Sequence, residues 1–243
     1  MELQAPSKVG EARPLWLIRE GELTTLKAIA RELPAGGTRR ELEAVIAGLK
    51  TTIFGKGMIE QDFRYPDGKI QTFTLWDAPG GRPTIMFPVT TYGRIIWLRQ
   101  WRPAAAVNDP SCKFIYELPG GNPKKGEIDP PHEKVAADEL LEETGYRARQ
   151  WRRLHPTSVW FEPANLTPPF TPLIGLDCER VREAEPDDTE LIEVVEFSIA
   201  ESRVMIRRGD VRDSKSIAIF FLALQHISPW QHFVWFLRRL FSR

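Results

Sequence analysis

A cluster of glutamates in one short segment is the part of this sequence best suited to chemistry. Glu139, Glu142 and Glu143 are three and four positions apart, which places them on one face of a helix. Like charges at this spacing destabilise a helix by roughly 0.2–0.5 kcal/mol per pair. Mg²⁺ would relieve the repulsion, because it takes oxygen ligands and bridges carboxylates to substrate phosphates. By itself, however, such spacing more often marks a solvated acidic face.

Local patterns predict the elements that hold these glutamates. Residues 114–118, FIYEL, read as a strand that runs into the loop Pro119-Gly120-Gly121. The acidic helix is predicted to start with Asp129 as its N-cap and Pro130 at its first position. Gly145 is predicted to end it. The glutamates therefore follow a strand and a glycine loop.

The whole chain divides by pattern into three segments. Residues 1–50 are predicted as a helical N-terminal extension, since Thr38 and Glu41 form a capping-box pattern before an apolar helical face. Residues 51–227 alternate strand and helix patterns, with hairpin turns near 65–68 and 92–93. This order predicts an α/β (α+β) fold in which a mixed central sheet lies between helices.

The last part of the chain is predicted to be helical. Ser198 and Glu201 form a second capping box, and residues 214–225 carry a helical apolar face. Residues 228–243 form a helix rich in aromatic residues and arginines, a type that can lie on a membrane surface. Because apolar residues cover most of its circumference, packing on its own domain or a partner chain is favoured over membrane contact.

Composition excludes several classes of function. Lys plus Arg and Asp plus Glu both number 33, so no surplus of positive charge indicates a nucleic-acid partner. Cys112 and Cys178 provide neither a disulfide framework nor a metal-ligand pattern. No apolar run is long enough for a transmembrane helix, and the first residues lack a signal core. A cytoplasmic location is therefore predicted.

The acidic segment resembles the Nudix box, G-x5-E-x7-R-E-U-x-E-E-x-G-U, where U is aliphatic. Residues 139–146, ELLEETGY, follow its second half, and Gly121 and Glu127 satisfy its beginning. Two departures stand out. Ten residues rather than seven lie between Glu127 and the position of the box arginine. That position is occupied by Asp138. A nearby cation, Lys124 or Lys125 for example, would have to compensate for that aspartate.

A wider resemblance, over roughly residues 51–225, points to the ADP-ribose pyrophosphatase branch of the Nudix hydrolases. Residues 98–102, LRQWR, are similar to its R-Q-aromatic-R strand, and residues 117–121, ELPGG, to its E-L-P-small-G motif. The resemblance implies metal-dependent hydrolysis of the diphosphate bond of a nucleoside diphosphate sugar. ADP-ribose is the first choice, with AMP and ribose 5-phosphate as products.

The resemblance also implies residue roles at the metal. Mg²⁺ or Mn²⁺ would be held by the carboxylates of Glu139, Glu142 and Glu143 and by the backbone carbonyl of Gly120, with Glu142 also counted as catalytic. Glu190, in an acidic loop before a predicted strand, matches the general base, with Asp187 and Asp188 as alternatives. A positioned base contributes about 10²–10⁴-fold to rate.

Substrate-binding residues and partners are predicted from the same resemblance. Arg99 and Arg102 could clamp phosphates or the terminal ribose, or form surface ion pairs. Pro163 lies in a loop that corresponds to one beside the substrate. Four aromatic residues could stack on the base or belong to the core: Phe63, Trp76, Trp97 and Trp101.

Two further expectations concern assembly and activity. The hairpin of residues 51–76 resembles an element that completes the partner's site in homodimers of this branch, so a homodimer is expected. The alternative to hydrolysis is a weak or silent Nudix-fold module that binds nucleotides, which the departure at Asp138 motivates.

Overall fold

The structure is a computed structural model. It describes residues 7–14, 27–34, 36–50, 57–65, 67–77, 83–102, 105, 109, 114–124, 127, 129–164, 166–186 and 190–241. The chain divides into two compact units. Unit 1 comprises Met1–Gly80 and Glu162–Pro168, and unit 2 comprises Gly81–Phe161 and Pro169–Arg243. The three-segment domain division drawn from the sequence remains a prediction.

Unit 1 contains an antiparallel three-stranded sheet in the order β1-β2-β3 and a helix. Its elements are β1 (Ser7–Pro14), α1 (Gly37–Lys50), β2 (Gly57–Arg64) and β3 (Ile70–Asp77). The predicted hairpin turn is confirmed: Gly68, with φ of 86°, donates its N–H to the Tyr65 carbonyl at 2.9 Å.

The strand β1 corrects the prediction that residues 1–50 are helical. Ser7–Pro14 pairs with β2 instead. Its sequence, SKVGEARP, contains Val9, Gly10 and Pro14, which all disfavour a helix, and β2 offers it backbone hydrogen bonds. The helical character predicted for this extension is confirmed for Gly37–Lys50.

Unit 2 is built on a nine-stranded mixed sheet with the central order β10-β11-β4-β5-β12. Strand β11 runs parallel to β4, whereas the other pairs are antiparallel. The strands are β4 (Thr84–Thr90), β5 (Arg94–Gln100), β6 (Ile115–Glu117), β7 (Gly120–Gly121), β8 (Tyr146–Arg147), β9 (Gln150–Arg153), β10 (Val159–Trp160), β11 (Pro169–Arg180) and β12 (Ile192–Ser198). The helices are α2 (His132–Thr144), α3 (Ile199–Arg208), α4 (Ser214–Leu224) and α5 (Pro229–Phe241).

Helices cover both faces of this sheet, as the sequence predicted. Side chains alternate between the faces of a strand, and β4 is buried along its whole length. Phe87 joins a core cluster that includes Phe220 of α4 and Trp235 of α5. Its neighbour Met86 joins a second cluster with Leu140 of α2. The predicted α/β fold with a mixed sheet between helices is confirmed.

The acidic helix starts later than predicted. Asp129 is not its N-cap but adopts a left-handed φ of 47°, and the N-cap position is Pro131. The proline pair explains the difference, because a residue before proline is disfavoured in the helical region, which keeps Pro130 out of the helix. The end is as predicted: Gly145 has φ of 75° and forms the left-handed C-cap.

The C-terminal helices follow the predicted boundaries closely, and α5 packs on its own unit through one side. Ser198 and Glu201 form the predicted capping box on α3, and α4 ends one residue before the predicted Gln225. Among the described residues of α5, Trp235 alone is buried. A helix that packs along a single ridge leaves its other faces outside the core. None of the helices in the described ranges is long and apolar enough to span a membrane.

Candidate active site

The acidic helix and the glycine loop meet in unit 2, as their order along the chain suggested. The side chain of Glu143 is 3% exposed, and the Gly120 N–H donates to its Oε2 at 3.1 Å. Gly121 lies against Glu139: a Cβ atom added at Gly121 would stand 2.2 Å from the Glu139 carboxyl carbon. The loop therefore needs glycine at this position to make room for a carboxylate.

Negative charge is concentrated around Glu143. Burial, together with the charges of Glu139 and Glu190, raises the pKa of Glu143 well above its ordinary value. The Gly120 N–H and the charge of Arg102 oppose that rise only in part. Glu190, predicted as the general base, is thus close enough to act electrostatically on the acidic helix. Asp187 and Asp188, the alternative bases, lie outside the described residues.

These carboxylates have the chemistry of a site for a hard divalent cation. Across the residues that the structure describes, no three His, Cys, Asp or Glu side chains form a group that could hold a metal ion. The oxygen donors nevertheless suit Mg²⁺ or Mn²⁺, and a cation bound at Glu143 would offset the repulsion from Glu139 and Glu190, which together with burial raises the Glu143 pKa. The chemistry of these donors therefore fits the implied metal, whereas their positions in this structure do not form a metal-binding group.

Glu142, also predicted as a metal ligand, is held differently. Its Oε2 accepts a hydrogen bond from Lys124 Nζ at 3.0 Å, and this contact raises the pKa of Lys124. Lys124 was one of two lysines predicted to compensate for Asp138, and the other, Lys125, lies outside the described residues. The structure therefore pairs Lys124 with a glutamate of the acidic helix.

Lys134, which the sequence did not lead us to assign, pairs with Asp138. Lys134 Nζ lies 2.8 Å from Asp138 Oδ2 and also contacts Glu127 Oε1. The hydrogen bonds to Asp138 and Glu127 raise the pKa of Lys134 to about 12, and the pKa of Glu127 is lowered in turn. The spacing of four between Lys134 and Asp138, an ordinary helical ion pair, was the available signal.

Arg102 is engaged within the protein. Its Nε and Nη2 donate to the two carboxylate oxygens of Glu117 at 2.9 and 2.8 Å, and the Glu117 side chain is buried. Burial alone would lower the pKa of Arg102, but Glu117 outweighs it and the pKa is raised. Glu143 and Glu190 also act on Arg102. Glu117, which the sequence reading did not assign, therefore anchors Arg102 beside the carboxylates.

The Arg99 side chain is as exposed as that of Arg102, 41% against 42%, but its ion-pair partner lies at the surface. Arg99 pairs with Glu193 on β12 at 2.8 Å, and its guanidinium carbon lies 4.5 Å from the centre of the Phe114 ring. Both partners of the ion pair face solvent. Pro163 is an exposed residue of unit 1. Their assignment to substrate binding remains a prediction.

For one of the four aromatic residues, the structure shows whether it belongs to the core. Trp97 is fully buried and donates its indole N–H to Ser202 Oγ at 3.1 Å, so it belongs to the core. Phe63 packs edge-on against Phe73 at 5.8 Å. Trp76 and Trp101 are exposed.

The chain is similar in sequence to bacterial proteins described as GDP-mannose pyrophosphatases. A GDP-mannose pyrophosphatase of Escherichia coli O1:K1 / APEC is 26% identical over 174 residues, or 70% of this chain and 87% of the relative. A GDP-mannose pyrophosphatase of Salmonella arizonae is 27% identical over 151 residues, or 61% and 76% respectively. No protein-family model matches the chain.

A solved structure shares the fold over nearly the whole chain. It is described as the crystal structure of an ADP compounds hydrolase, with a TM-score of 0.65 and 13% sequence identity. The similarity covers 96% of this chain and 99% of that one. Sequence and fold together support a Nudix hydrolase. The family and fold predictions are confirmed, and this Nudix protein is an enzyme of the pyrophosphatase type.

The acidic helix carries a positive charge close to the position at which the Nudix box has its arginine. Asp138 stands at the arginine position, and Lys134, one helical turn earlier, bridges it to Glu127. The three extra residues of the box precede Asp138, in the stretch where Pro130 and Pro131 delay the start of the helix. The ammonium group of Lys134 thus lies one helical turn before the position of the box arginine, and Glu139, Glu142 and Glu143 have the spacing of the box.

The two arginines give a prediction about structural roles. Arg102→Ala lowers the free energy of unfolding by roughly 2 kcal/mol, because the buried Glu117 carboxylate loses its bidentate partner. Arg99→Ala, the matched change in an exposed pair, costs less than about 1 kcal/mol. Urea unfolding of both variants measures the difference. Equal losses would contradict a special role for the Arg102–Glu117 pair.

Proposed function

We propose that this Nudix hydrolase cleaves the diphosphate bond of a nucleoside diphosphate sugar, with ADP-ribose as the first substrate and AMP and ribose 5-phosphate as products. The observation that supports this most is the buried Glu143, held by the Gly120 N–H beside the charges of Glu139 and Glu190. Buried like charges are costly unless a cation joins them. The LRQWR and ELPGG segments favour the ADP-ribose branch.

Mg²⁺ or Mn²⁺ is proposed to be held by Glu139, Glu142, Glu143 and the backbone carbonyl of Gly120. When bound, such a cation stabilises the charge that develops on the diphosphate and acidifies the attacking water. The Gly120 N–H orients the Glu143 carboxylate toward this role. Glu142 has to share or exchange its contact with Lys124, which leaves the lysine available to a substrate phosphate.

The protein's own groups then handle the proton and the substrate. Glu190 is proposed to accept the proton of the water that attacks phosphorus, a contribution of about 10²–10⁴-fold. Arg99 is proposed to contact substrate phosphate, and Pro163 to lie beside the substrate. Arg102 is anchored by Glu117 near the carboxylates of Glu143 and Glu190. From there its positive charge is proposed to stabilise the bound diphosphate.

A second substrate, GDP-mannose, is proposed because two relatives carry that activity in their names. The test incubates the purified protein with ADP-ribose or GDP-mannose and Mg²⁺, and separates AMP from GMP by chromatography. Faster release of AMP supports ADP-ribose, and faster release of GMP supports GDP-mannose. If neither is hydrolysed but calorimetry detects binding, the hydrolase proposal fails and a binding module is favoured.

Metal binding can be checked without turnover. After EDTA treatment, added Mg²⁺ or Mn²⁺ raises the unfolding temperature by roughly 3–5 °C at about ten times its dissociation constant. Glu139→Gln removes the shift, because it deletes a carboxylate beside Gly121. Glu133→Gln keeps it, since Glu133 lies on the same helix but pairs with Arg153 at 3.5 Å. A shift that survives in Glu139→Gln places the metal elsewhere.

The homodimer and the cytoplasmic location remain proposals from the sequence. The hairpin β2–β3 is the segment proposed to contact the partner. Analytical ultracentrifugation of the full chain tests it, and a monomer at micromolar concentration would contradict it.

A further inference from the structure

Helix α5 packs on unit 2 through one side. Trp235, 4% exposed, belongs to the core cluster and lies against Gly93. A Cβ atom at Gly93 would stand 2.7 Å from the Trp235 ring, so the glycine makes room for the indole. Near the end of the helix, Arg238 donates to Asp177 and to the Thr91 carbonyl. These contacts fix which side of α5 faces the protein.

The opposite side of α5 presents a continuous apolar surface to solvent. Trp230 is 68% exposed and Phe241 79% exposed, at the two ends of the helix. Between them lie three more exposed residues at helical spacing: Phe233, Phe236 and Leu240. With about 150–250 Å² per aromatic side chain, the exposed part amounts to roughly 600 Å². That area lies at the upper end of the range for the largest apolar patch on a typical monomer, about 300–600 Å², and such patches are often functional. We call these five residues the outer face of α5.

The charges on α5 are of one sign. Its sequence, PWQHFVWFLRRLF, contains no Asp or Glu, and Arg238 and Arg239 lie in its last turn. Arg238 is held by Asp177 on the side that packs against unit 2, and Arg239 is an exposed residue of the same turn. A helix with Trp, Phe and Leu on one face and arginines beside them suits the boundary between anionic headgroups and acyl chains. An arginine near such a surface adds electrostatic attraction to anionic lipid.

We propose that α5 attaches this enzyme to an anionic lipid surface, with its outer face lying in the interface. At 13 residues the helix is shorter than the roughly 20 needed to cross a bilayer, which fits a helix parallel to the surface. A second copy of the chain suits the outer face less well. A specific dimer buries about 800 Å² on each partner, more than this face offers. The proposal is independent of the substrate.

Sedimentation with lipid vesicles tests the attachment. The full chain is mixed with vesicles of phosphatidylcholine alone, or of phosphatidylcholine with phosphatidylglycerol, and the bound fraction is measured after centrifugation. Binding is expected to the anionic vesicles. Changing Phe236→Gln together with Phe241→Gln weakens it at least about tenfold, because two exposed aromatic side chains are removed from the interface. Arg239→Glu reduces the preference for anionic lipid.

A matched control separates the outer face from general surface hydrophobicity. Phe221 on α4 is 50% exposed, close to the 57% of Phe236, so Phe221→Gln removes a similar surface from another helix and is expected to leave binding unchanged. Circular dichroism confirms that each variant is folded. Absence of vesicle binding overturns the proposal, as does equal binding to both vesicle types or equal loss in Phe221→Gln. If the double variant instead dissociates a dimer and lipid is not bound, the outer face is a protein interface and the proposal is wrong.

Discussion

Replacing Glu143 by Gln is expected to reduce kcat by at least about 10³-fold while the protein remains folded. Glu143 is the most buried of the three glutamates, and its carboxylate is fixed by the Gly120 N–H. The amide has nearly the same shape, but it lacks the charge that a divalent cation needs. Steady-state hydrolysis of ADP-ribose or GDP-mannose, whichever is the better substrate, measures the loss.

The same change should not destabilise the protein without metal. A neutral amide is buried at lower cost than a carboxylate that Glu139 and Glu190 repel, so the unfolding temperature in EDTA should stay the same or rise. Glu133→Gln is the control, because Glu133 lies on α2 in an exposed pair with Arg153. Its activity should equal that of the unchanged protein. Comparable turnover in Glu143→Gln would remove Glu143 from the proposed site.

The two glycines of β7 are expected to respond to alanine in opposite ways. At Gly121 the added Cβ meets the Glu139 carboxylate, the far end of a flexible side chain that can move. At Gly120 it stands 2.5 Å from the Thr84 carbonyl oxygen and 3.0 Å from the Ile85 Cα, which belong to the paired backbone of β4. A side chain can rotate away at little cost, but a paired strand cannot.

Gly121→Ala should therefore lose activity but keep stability. Displacement of the Glu139 carboxylate by an ångström or more lowers kcat/KM by about 10²-fold. The free energy of unfolding changes by less than about 1 kcal/mol, since alanine also restricts the unfolded chain. Gly120→Ala should lower it by roughly 2–3 kcal/mol, because β7 and β4 must separate. Urea unfolding and kinetics on both variants measure the two effects. The reverse pattern would mean that Glu139 does not act at the site.

Local sequence patterns were reliable wherever a feature depends on neighbours along the chain. The left-handed C-cap at Gly145, the capping box of Ser198 and Glu201, and the turn at Gly68 were all predicted and are present. The start of α2 was wrong because the pattern of Asp129 and Pro130 was read without the effect of Pro131 on the residue before it. That error, too, had a local cause.

Contacts between distant segments could not be predicted in the same way. Ser7–Pro14 became a strand because β2 provides hydrogen-bond partners some fifty residues later. Arg99 and Arg102 belong to the same four-residue motif, yet Arg102 is anchored by a buried glutamate and Arg99 lies in an exposed pair. Which arginine meets which carboxylate depends on the pairing of β5 with β6 and β12.

By itself, the sequence determined that Glu139, Glu142 and Glu143 share one side of a helix behind a glycine loop, because helical geometry sets the angles between near neighbours. It also determined the Nudix resemblance and the mixed α/β fold. The tertiary structure decided that Glu143 is buried at the Gly120 N–H, that Glu142 pairs with Lys124, and that the outer face of α5 is exposed. Burial and charge pairing depend on which elements pack together, and packing joins residues that helical or strand periodicity cannot relate.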